Sequence, residues 1–247
     1  MPQHRVFAVN GIPEDFFLSS ESTLSHSGNH TQGLNLLAEH ALERANDWDW
    51  LLFLDSDAFP IVPLSQILDN AHPFIAVQRL ENLGDIQPHP SFCAAKAGVW
   101  RELQPDWSRG YRWTNSLGMS VTDVGGGVLK ALDESGTSWQ PLVRRNRVNY
   151  HPLWFGVYGF PQGPGVVYHH GAGSRARSGR VVRLGKKPTN RIHRAWETLV
   201  FFIKVGTQAR RGGIAISLRK LARRRGLFTE AFEKAIDENH TFWKAVT

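Results

Sequence analysis

The most informative stretch of this chain is W-L-L-F-L-D-S-D-A-F at residues 50–59. Its five leading apolar residues predict a buried strand, and Asp55 and Asp57 stand where that strand should end. Residues i and i+2 of a strand share a face, so the two carboxylates converge if the strand continues and flank one point if the chain turns. Two carboxylates at the edge of a core repel each other, and a divalent cation removes that repulsion. Because oxygen ligands suit Mg2+ or Mn2+, the stretch indicates a metal site at the carboxyl end of a strand.

The acidic pair also has a simpler interpretation. Asp favours turns, so Asp55 and Asp57 would then only begin a turn before Pro60. The apolar run directly before the pair favours the metal site over this alternative, although the pair alone does not decide between them.

Strand and helix patterns alternate along the chain, which is typical of an α/β fold. Apolar residues at positions 34, 37, 38, 41, 42 and 45 form one face of a helix predicted over 33–45. Residues 19–30 are predicted to be a polar loop, and residues 103–119 an ordered loop at the active site. Strands are predicted at 5–10, 16–18, 50–54, 74–78, 91–96, 139–143, 154–157 and 166–169, with helices or helical turns at 63–70, 99–103, 125–132, 192–205 and 214–225.

Charge divides the 247-residue chain into an acidic part and a basic part. Residues 175–225 contain sixteen Lys or Arg and a single acid, Glu197, so this segment carries +15. The whole chain carries +7, so the remainder carries −8. We therefore predict a catalytic domain at 1–175 and a basic, mainly helical region at 176–247.

The chain is expected to work in the cytoplasm, in part at a membrane surface. Cys93 is the only cysteine, so no internal disulfide can form, and no long apolar run or secretory signal is seen. In the basic region, the apolar residues Ile214, Leu218, Leu221 and Ala222 share one helix face. Such a basic amphipathic helix is predicted to bind an anionic membrane peripherally, and a solvated basic surface is the alternative.

Three further segments make the acidic pair more specific. Residues 27–35 (S-G-N-H-T-Q-G-L-N) are predicted at a helix start, where backbone N–H groups can approach a nucleotide; capping by Thr31 is the alternative. Residues 122–127 (T-D-V-G-G-G) place Asp123 at a helix start, where it caps the helix and can also accept a proton. Residues 168–174 (Y-H-H-G-A-G-S) offer His169 or His170 as a metal ligand, or as a structural histidine. Neighbouring residues of a strand face opposite ways, so at most one of the two is a ligand.

Over roughly residues 5–175 the chain resembles the GT-A class of nucleotide-sugar glycosyltransferases. The order and spacing of four segments carry the resemblance, and the Asp-x-Asp with its strand is the most specific of them. These segments are Val9-Asn10-Gly11 for the family's Asp-Asn-Gly type turn, Gly33-Leu-Asn35 for its Gly-x-Asn helix start, Leu54-Asp-Ser-Asp57 for its Asp-x-Asp, and His169-x-Gly-x-Gly-Ser174 for its C-terminal histidine motif.

The resemblance implies a metal-dependent transferase with a Rossmann-like mixed sheet flanked by helices. Its cofactor would be Mn2+ or Mg2+, its donor a nucleoside diphosphate sugar, and its acceptor a glycan or a lipid-linked saccharide. Asp57 and His169 would bind the metal, Asp55 the metal or the ribose, and Asp123 would be the catalytic base of an inverting member. Thr122 precedes Asp123 where the family usually has an acid, so retention and inversion both stay open.

The nucleotide would be held by residues inside and outside the metal site. This role is predicted for Asn10, Gly33, Asn35 and Gly126, together with Asp55 of the metal site. Arg79, directly after the predicted strand 74–78, is a candidate for phosphate binding, with an ordinary surface arginine as the alternative. The family usually has a further strand and helix, which hold the nucleotide base, before the Asn-Gly turn. Here the sequence begins almost at that turn, so this unit is either lost or part of a longer polypeptide, and the base preference stays open.

Two other classes of protein also fit parts of the sequence. A haloacid-dehalogenase-like phosphatase also has a strand ending in Asp-x-Asp. That family needs Thr or Val next, then a Lys and a second acidic cluster, whereas this chain has Ala58 next and lacks the cluster. A non-catalytic binder of polyanions such as RNA would use the basic region, but it leaves Asp55 and Asp57 unexplained, and no recognisable nucleic-acid motif is present. No specific nucleic-acid partner is therefore expected.

Overall fold

The structure is a computed structural model that describes residues 3–6, 16–19, 26–55, 57–68, 71–148, 154–171 and 242–247. Several predictions lie outside these residues: the turn with Asn10, the boundary at 175 and 176, and the helices at 192–205 and 214–225. The described part has a mixed α/β architecture, which confirms the fold class at that level. It divides into two compact units.

In chain order, groups of two to four strands are separated by single α-helices among the described residues. The elements are β1 (Gln3–Val6), β2 (Phe16–Ser19), α1 (His26–Leu42), β3 (Trp50–Leu54), β4 (Ala58–Pro60), β5 (Phe74–Val77), β6 (His89–Lys96), α2 (Ala97–Leu103), β7 (Trp113–Thr114), β8 (Ser120–Val121), α3 (Gly126–Ser135), β9 (Gln140–Arg144), β10 (Gly156–Gly159) and β11 (Val167–His169). Short 3-10 turns lie at Leu64–Gln66 and Phe242–Ala245.

The first unit comprises Met1–Phe53, Leu68–Val77 and Ile86–Pro141. Its strands follow the order β3-β6-β5, with β5 and β6 antiparallel and Phe74 opposite Ala95. All four residues of β5 and six in a row of β6 are buried, so both strands lie inside the first unit. β1 and β2 form a separate antiparallel pair, and so do β7 and β8.

One hydrophobic cluster holds the elements of the first unit together. Leu34 and Ala38 of α1 belong to it, as do Leu51 and Phe53 of β3. The ring centroids of Phe53 and Trp107 lie 5.0 Å apart. Trp107 is fully buried and belongs to the loop after α2. Burial of a large apolar side chain stabilises a fold by about 1.5–3 kcal/mol, so this aromatic contact fixes the start of the loop.

The second unit comprises Leu54–Ile67, Gln78–Asp85 and Leu142–Thr247. Its strands follow the order β9-β10-β11-β4, and each neighbouring pair is antiparallel. In the pair of β11 and β4, Tyr168 lies opposite Phe59 and His169 opposite Ala58. This register decides which side chains meet beside β4.

Most predicted elements are present with ends shifted by at most two or three residues. The helix predicted over 33–45 is an exception, because α1 already begins at His26. Thr31 and Leu34 both face the interior, which extends the buried stripe one turn upstream of the predicted start. Gly28 and Asn29 are weak helix formers, and for that reason the pattern placed the start too late. The predicted loop at 19–30 is therefore wrong from His26 onward.

Two shorter elements also differ from the sequence prediction. The helix predicted at 63–70 is a single 3-10 turn at Leu64–Gln66 within its described part. The strand β4 was not predicted, because three residues ending in Pro60 carry no readable alternation. The helix predicted at 125–132 is present as α3, and Gly136 ends it with a left-handed φ of 68°.

Candidate metal centre

The acidic pair occupies a turn between two strands. β3 ends at Leu54, the N–H of Ala58 donates to the carbonyl of Asp55 at 3.0 Å, and β4 begins at Ala58. Of the two geometries open to the pair, the second is present: the chain turns, and the carboxylates flank one point. The turn interpretation describes the backbone correctly, but it omits the histidine that lies beside the pair.

Strand pairing brings His169 to the acidic pair. His169 lies opposite Ala58 in the β11–β4 ladder, and the N–H of His170 donates to the carbonyl of Asp57 at 2.8 Å. This hydrogen bond extends the pairing of the two segments to Asp57. The side chains of Asp57 and His169 are therefore brought together. Nε2 of His169 lies 3.4 Å from Oδ1 of Asp57. Their side chains are only 7% and 13% exposed, so this contact is shielded from water.

Asp55, Asp57 and His169 form one cluster. Each offers one ligand atom, and these three atoms lie within 4.8 Å of one another. Ligands bound at about 2.1 Å to one ion lie at most about 4.2 Å apart, so closing the cluster needs a shift of only about half an ångström. The two carboxylates suit Mn2+ and Mg2+ by ligand type, whereas an imidazole is a more usual ligand of transition metals than of Mg2+. The residues present therefore fit a divalent cation, and a protonated His169 paired with Asp57 fits the same distances.

The two neighbouring histidines have different surroundings. The ring of His170 is fully buried, lies 2.9 Å through Nδ1 from the Tyr168 hydroxyl, and packs against Phe155 at 5.2 Å between ring centroids. The ring of His169 faces Asp57 instead. The alternation along β11 thus directs one imidazole to the cluster and the other into the interior, as the sequence predicted.

Tyr168 keeps its proton next to this cluster. Burial raises the pKa of the Tyr168 hydroxyl well above its usual range, and the negative charge of Asp57 raises it further. A phenolate would be both desolvated and repelled by Asp57. Without a bound cation, Tyr168 is therefore a neutral hydroxyl, and it lies 2.9 Å from Nδ1 of His170.

Asp123, the predicted base, lies in the first unit between β8 and α3. Its Oδ1 accepts hydrogen bonds from the N–H of Val124 at 2.9 Å and from Arg109 at 3.2 Å. The N-cap of α3 is Gly125 and has no side-chain capping bond, so the predicted capping role of Asp123 is wrong. Its side chain is 38% exposed, which leaves the carboxylate in contact with solvent. The ion pair with Arg109 was not predicted, because no fixed spacing links the two residues.

The glycines at the start of α3 are packed closely by protein atoms. A Cβ at Gly126 would lie 3.2 Å from the carbonyl oxygen of Tyr111, and one at Gly127 would lie 2.3 Å from that of Asp106. The N–H of Gly126 donates to the carbonyl of Asp123 at 3.0 Å. Packing within the first unit thus accounts for small residues here, and nucleotide binding by Gly126 stays a prediction.

Gly33 and Asn35 lie inside α1, so the prediction that they start a helix is wrong. A helix interior commits its backbone N–H groups to carbonyls four residues earlier, so neither of these two residues offers a free backbone N–H to a nucleotide. The Asn35 amide joins α1 to the loop after α2: its Nδ2 donates to Asp106 and its Oδ1 accepts from the N–H of Trp107 at 3.0 Å. Its side-chain contact with a nucleotide stays a prediction.

Asp106 receives this contact as a carboxylate. Burial acts to raise the pKa of Asp106, but hydrogen bonds from Asn35 and Ser108 outweigh it, and the pKa lies below its usual range. The charged form is thus the one that the surrounding donors stabilise.

Arg79 lies in the second unit and is buried, so the alternative of a surface arginine is wrong. Its guanidinium lies 3.5 Å from Asp85, and Arg144 lies 3.5 Å from Glu81 in the same unit. The Tyr158 hydroxyl donates to Glu81 at 2.8 Å, and burial raises the pKa of that hydroxyl far above its usual range. The positive charge of Arg79 is matched by an acid inside the protein, and its contact with phosphate stays a prediction.

Among the described residues, no helix combines the length and hydropathy that a membrane span requires. No protein-family model, no curated protein and no solved structure matches this chain.

Proposed function

We propose that this protein is a metal-dependent glycosyltransferase of the GT-A type. It would transfer a sugar from a nucleoside diphosphate donor to a hydroxyl group of a glycan or of a lipid-linked saccharide. The observation that supports this proposal most is the cluster of Asp55, Asp57 and His169, three residues of the motifs behind the resemblance, within 4.8 Å.

The cluster would hold Mn2+ or Mg2+ in the proposed enzyme. A cation bound there would act as a Lewis acid that offsets the charge of the diphosphate leaving group. The protein contributes a fixed geometry: Asp57 directly precedes β4, and His169 ends β11, the strand that pairs with β4. Preorganised ligands of this kind lower the cost of binding, because little side-chain freedom is lost.

The transfer would exchange one bond for another at the anomeric carbon of the donor sugar. The bond from that carbon to the phosphate oxygen breaks, and its electron pair leaves with the diphosphate. A bond from the acceptor oxygen forms, and the acceptor proton goes to a base. The resemblance assigns that base to Asp123, whose partly exposed carboxylate has Arg109 and the Val124 N–H as partners.

A panel of thermal unfolding measurements tests the proposal. A nucleoside diphosphate at about a hundred times its Kd should stabilise the protein by about 2.7 kcal/mol, and only with Mn2+ or Mg2+ present. The nucleoside monophosphate of the same base is the matched control, because it lacks the second phosphate. A screen of nucleotide sugars for slow donor hydrolysis then identifies the sugar without knowledge of the acceptor.

The same panel separates the other two classes. Stabilisation by RNA without metal, and by no nucleoside diphosphate, would favour a polyanion binder. Metal-dependent hydrolysis of p-nitrophenyl phosphate without donor hydrolysis would favour a phosphatase. Either result would contradict the proposed transferase.

A further inference from the structure

The last six residues of the chain, 242–247, pack in the second unit, and we call them the C-terminal turn. Val246 is fully buried, and its carbonyl accepts hydrogen bonds from the N–H groups of Arg147 at 3.0 Å and Val148 at 3.5 Å. The N–H of Val246 donates to the carbonyl of Trp243 at 2.9 Å, which closes the turn. These hydrogen bonds hold the C-terminal turn in the second unit, although it follows His169 by more than seventy residues in the sequence.

The C-terminal turn makes its aromatic contact with the strand that follows the metal ligands. The rings of Trp243 and Phe59 have centroids 5.5 Å apart at an interplanar angle of 70°, an edge-to-face arrangement. On the same strand pair, Phe59 packs against Tyr168 at 5.3 Å. Phe59 stands two residues after Asp57, and Tyr168 directly precedes His169. A row of three rings therefore adjoins both ligands.

The strand β4 needs such support. It has only three residues and lies at the end of the strand order β9-β10-β11-β4, so within the described residues it pairs on one side only, with β11. Short strands at a sheet edge form few ladder bonds and are marginal without side-chain packing. Asp57 precedes this strand, so a shift of β4 moves its carboxylate away from His169.

We propose that the C-terminal turn positions the metal ligands: Trp243 braces Phe59, and this contact holds β4 in the register that places Asp57 against His169. Trp243 is then a positioning residue, since it acts through Phe59 and not on the metal itself. The inference rests on the proposed function, because it assumes that the cluster binds a divalent cation.

The affinity for Mn2+ in the absence of nucleotide tests this role. It is measured from the electron paramagnetic resonance signal of free Mn2+. Trp243→Ala should weaken Mn2+ binding about tenfold, because loss of a residue that orients a metal ligand typically costs about 10–100-fold. Trp243→Phe keeps an aromatic ring beside Phe59 and should restore most of the affinity. Trp48→Ala, which removes a tryptophan 71% exposed in the first unit, should leave it unchanged.

A double-variant comparison keeps the test decisive if Trp243→Ala does not fold. Trp243→Leu and Phe59→Leu each break the ring contact, and the combined variant should lose little more Mn2+ affinity than either alone. Full affinity in Trp243→Ala or Trp243→Leu, or additive losses in the combined variant, would overturn the positioning role while the proposed transferase stands. No Mn2+ binding by the unaltered protein would overturn the metal site, and with it both proposals.

Discussion

The turn after β3 and the start of α3 both combine acidic with small residues, serine in the first and glycine in the second, but their surroundings differ. At the turn, Asp55 and Asp57 meet a histidine from a strand more than a hundred residues later. At the start of α3, neighbouring protein atoms surround Gly126 and Gly127, and Arg109 pairs with Asp123. The comparison separates a place where side chains gather around one point from a place where the chain packs against itself.

The largest expected difference between the two regions concerns metal affinity. Asp57→Asn keeps the shape of the side chain but removes the charge that a divalent cation needs, so Mn2+ affinity should fall by more than about a hundredfold, beyond the usual cost of losing a supporting residue. Asp123→Asn should leave Mn2+ affinity within about twofold. Calorimetric titration with Mn2+ measures both variants, with circular dichroism as the control for folding.

The opposite pattern would end the distinction. Unchanged affinity in Asp57→Asn would show that Asp57 and His169 form only an ion pair of the protein. A large loss in Asp123→Asn would place the metal with the predicted base instead.

The next effect concerns stability, and it belongs to the start of α3. Gly127→Ala would place a Cβ 2.3 Å from the carbonyl oxygen of Asp106, so it should destabilise the fold by about 1–3 kcal/mol and leave Mn2+ affinity unchanged. Gly136→Ala is the control: its Cβ meets no atom within 4 Å, and only the left-handed φ of 68° costs about 1 kcal/mol. Urea unfolding measures both.

The outcome also bears on the proposed nucleotide site. Suppose Gly127→Ala keeps the stability of the unaltered protein but loses nucleoside diphosphate binding. The glycines would then be there for a ligand, and the packing explanation would be wrong.

The cluster of Asp55, Asp57 and His169 was predicted in part from local strand patterns, and the resemblance grouped His169 with the two carboxylates. An apolar run that ends in Asp-x-Asp fixes where the carboxylates lie, and a second short strand ending in two histidines offers one imidazole to each face. Local patterns of period two are enough for both statements. The sequence could not show that Ala58–Pro60 forms β4, yet this strand sets the register that joins Asp57 to His169.

Contacts between distant segments explain most of what the sequence missed. The bonds of Asn35 to Asp106 and Trp107 link residues more than seventy positions apart, and no spacing rule predicts them. The buried pair of Arg79 and Asp85 lies close in sequence, but its burial depends on the strands around it. The start of α1 was misplaced for a local reason, since Gly28 and Asn29 weaken the helical pattern that the buried Thr31 supports.

The smallest expected effect is the pH dependence of the first unit. The folded pKa of Asp106 is lowered, so its contribution to stability is present above the ordinary value near 4 and is lost as the pH falls through the lowered value. Asp106→Asn should therefore show a smaller loss of stability between pH 6 and pH 3 than the unaltered protein. Asn35→Ala, which keeps the carboxylate but removes a donor, should also reduce that loss. Asp106 is exposed, so solvent screening keeps the effect small. Urea unfolding at the two pH values measures it, and equal losses in all three proteins would show that the hydrogen bond from Asn35 to Asp106 makes no pH-dependent contribution to stability.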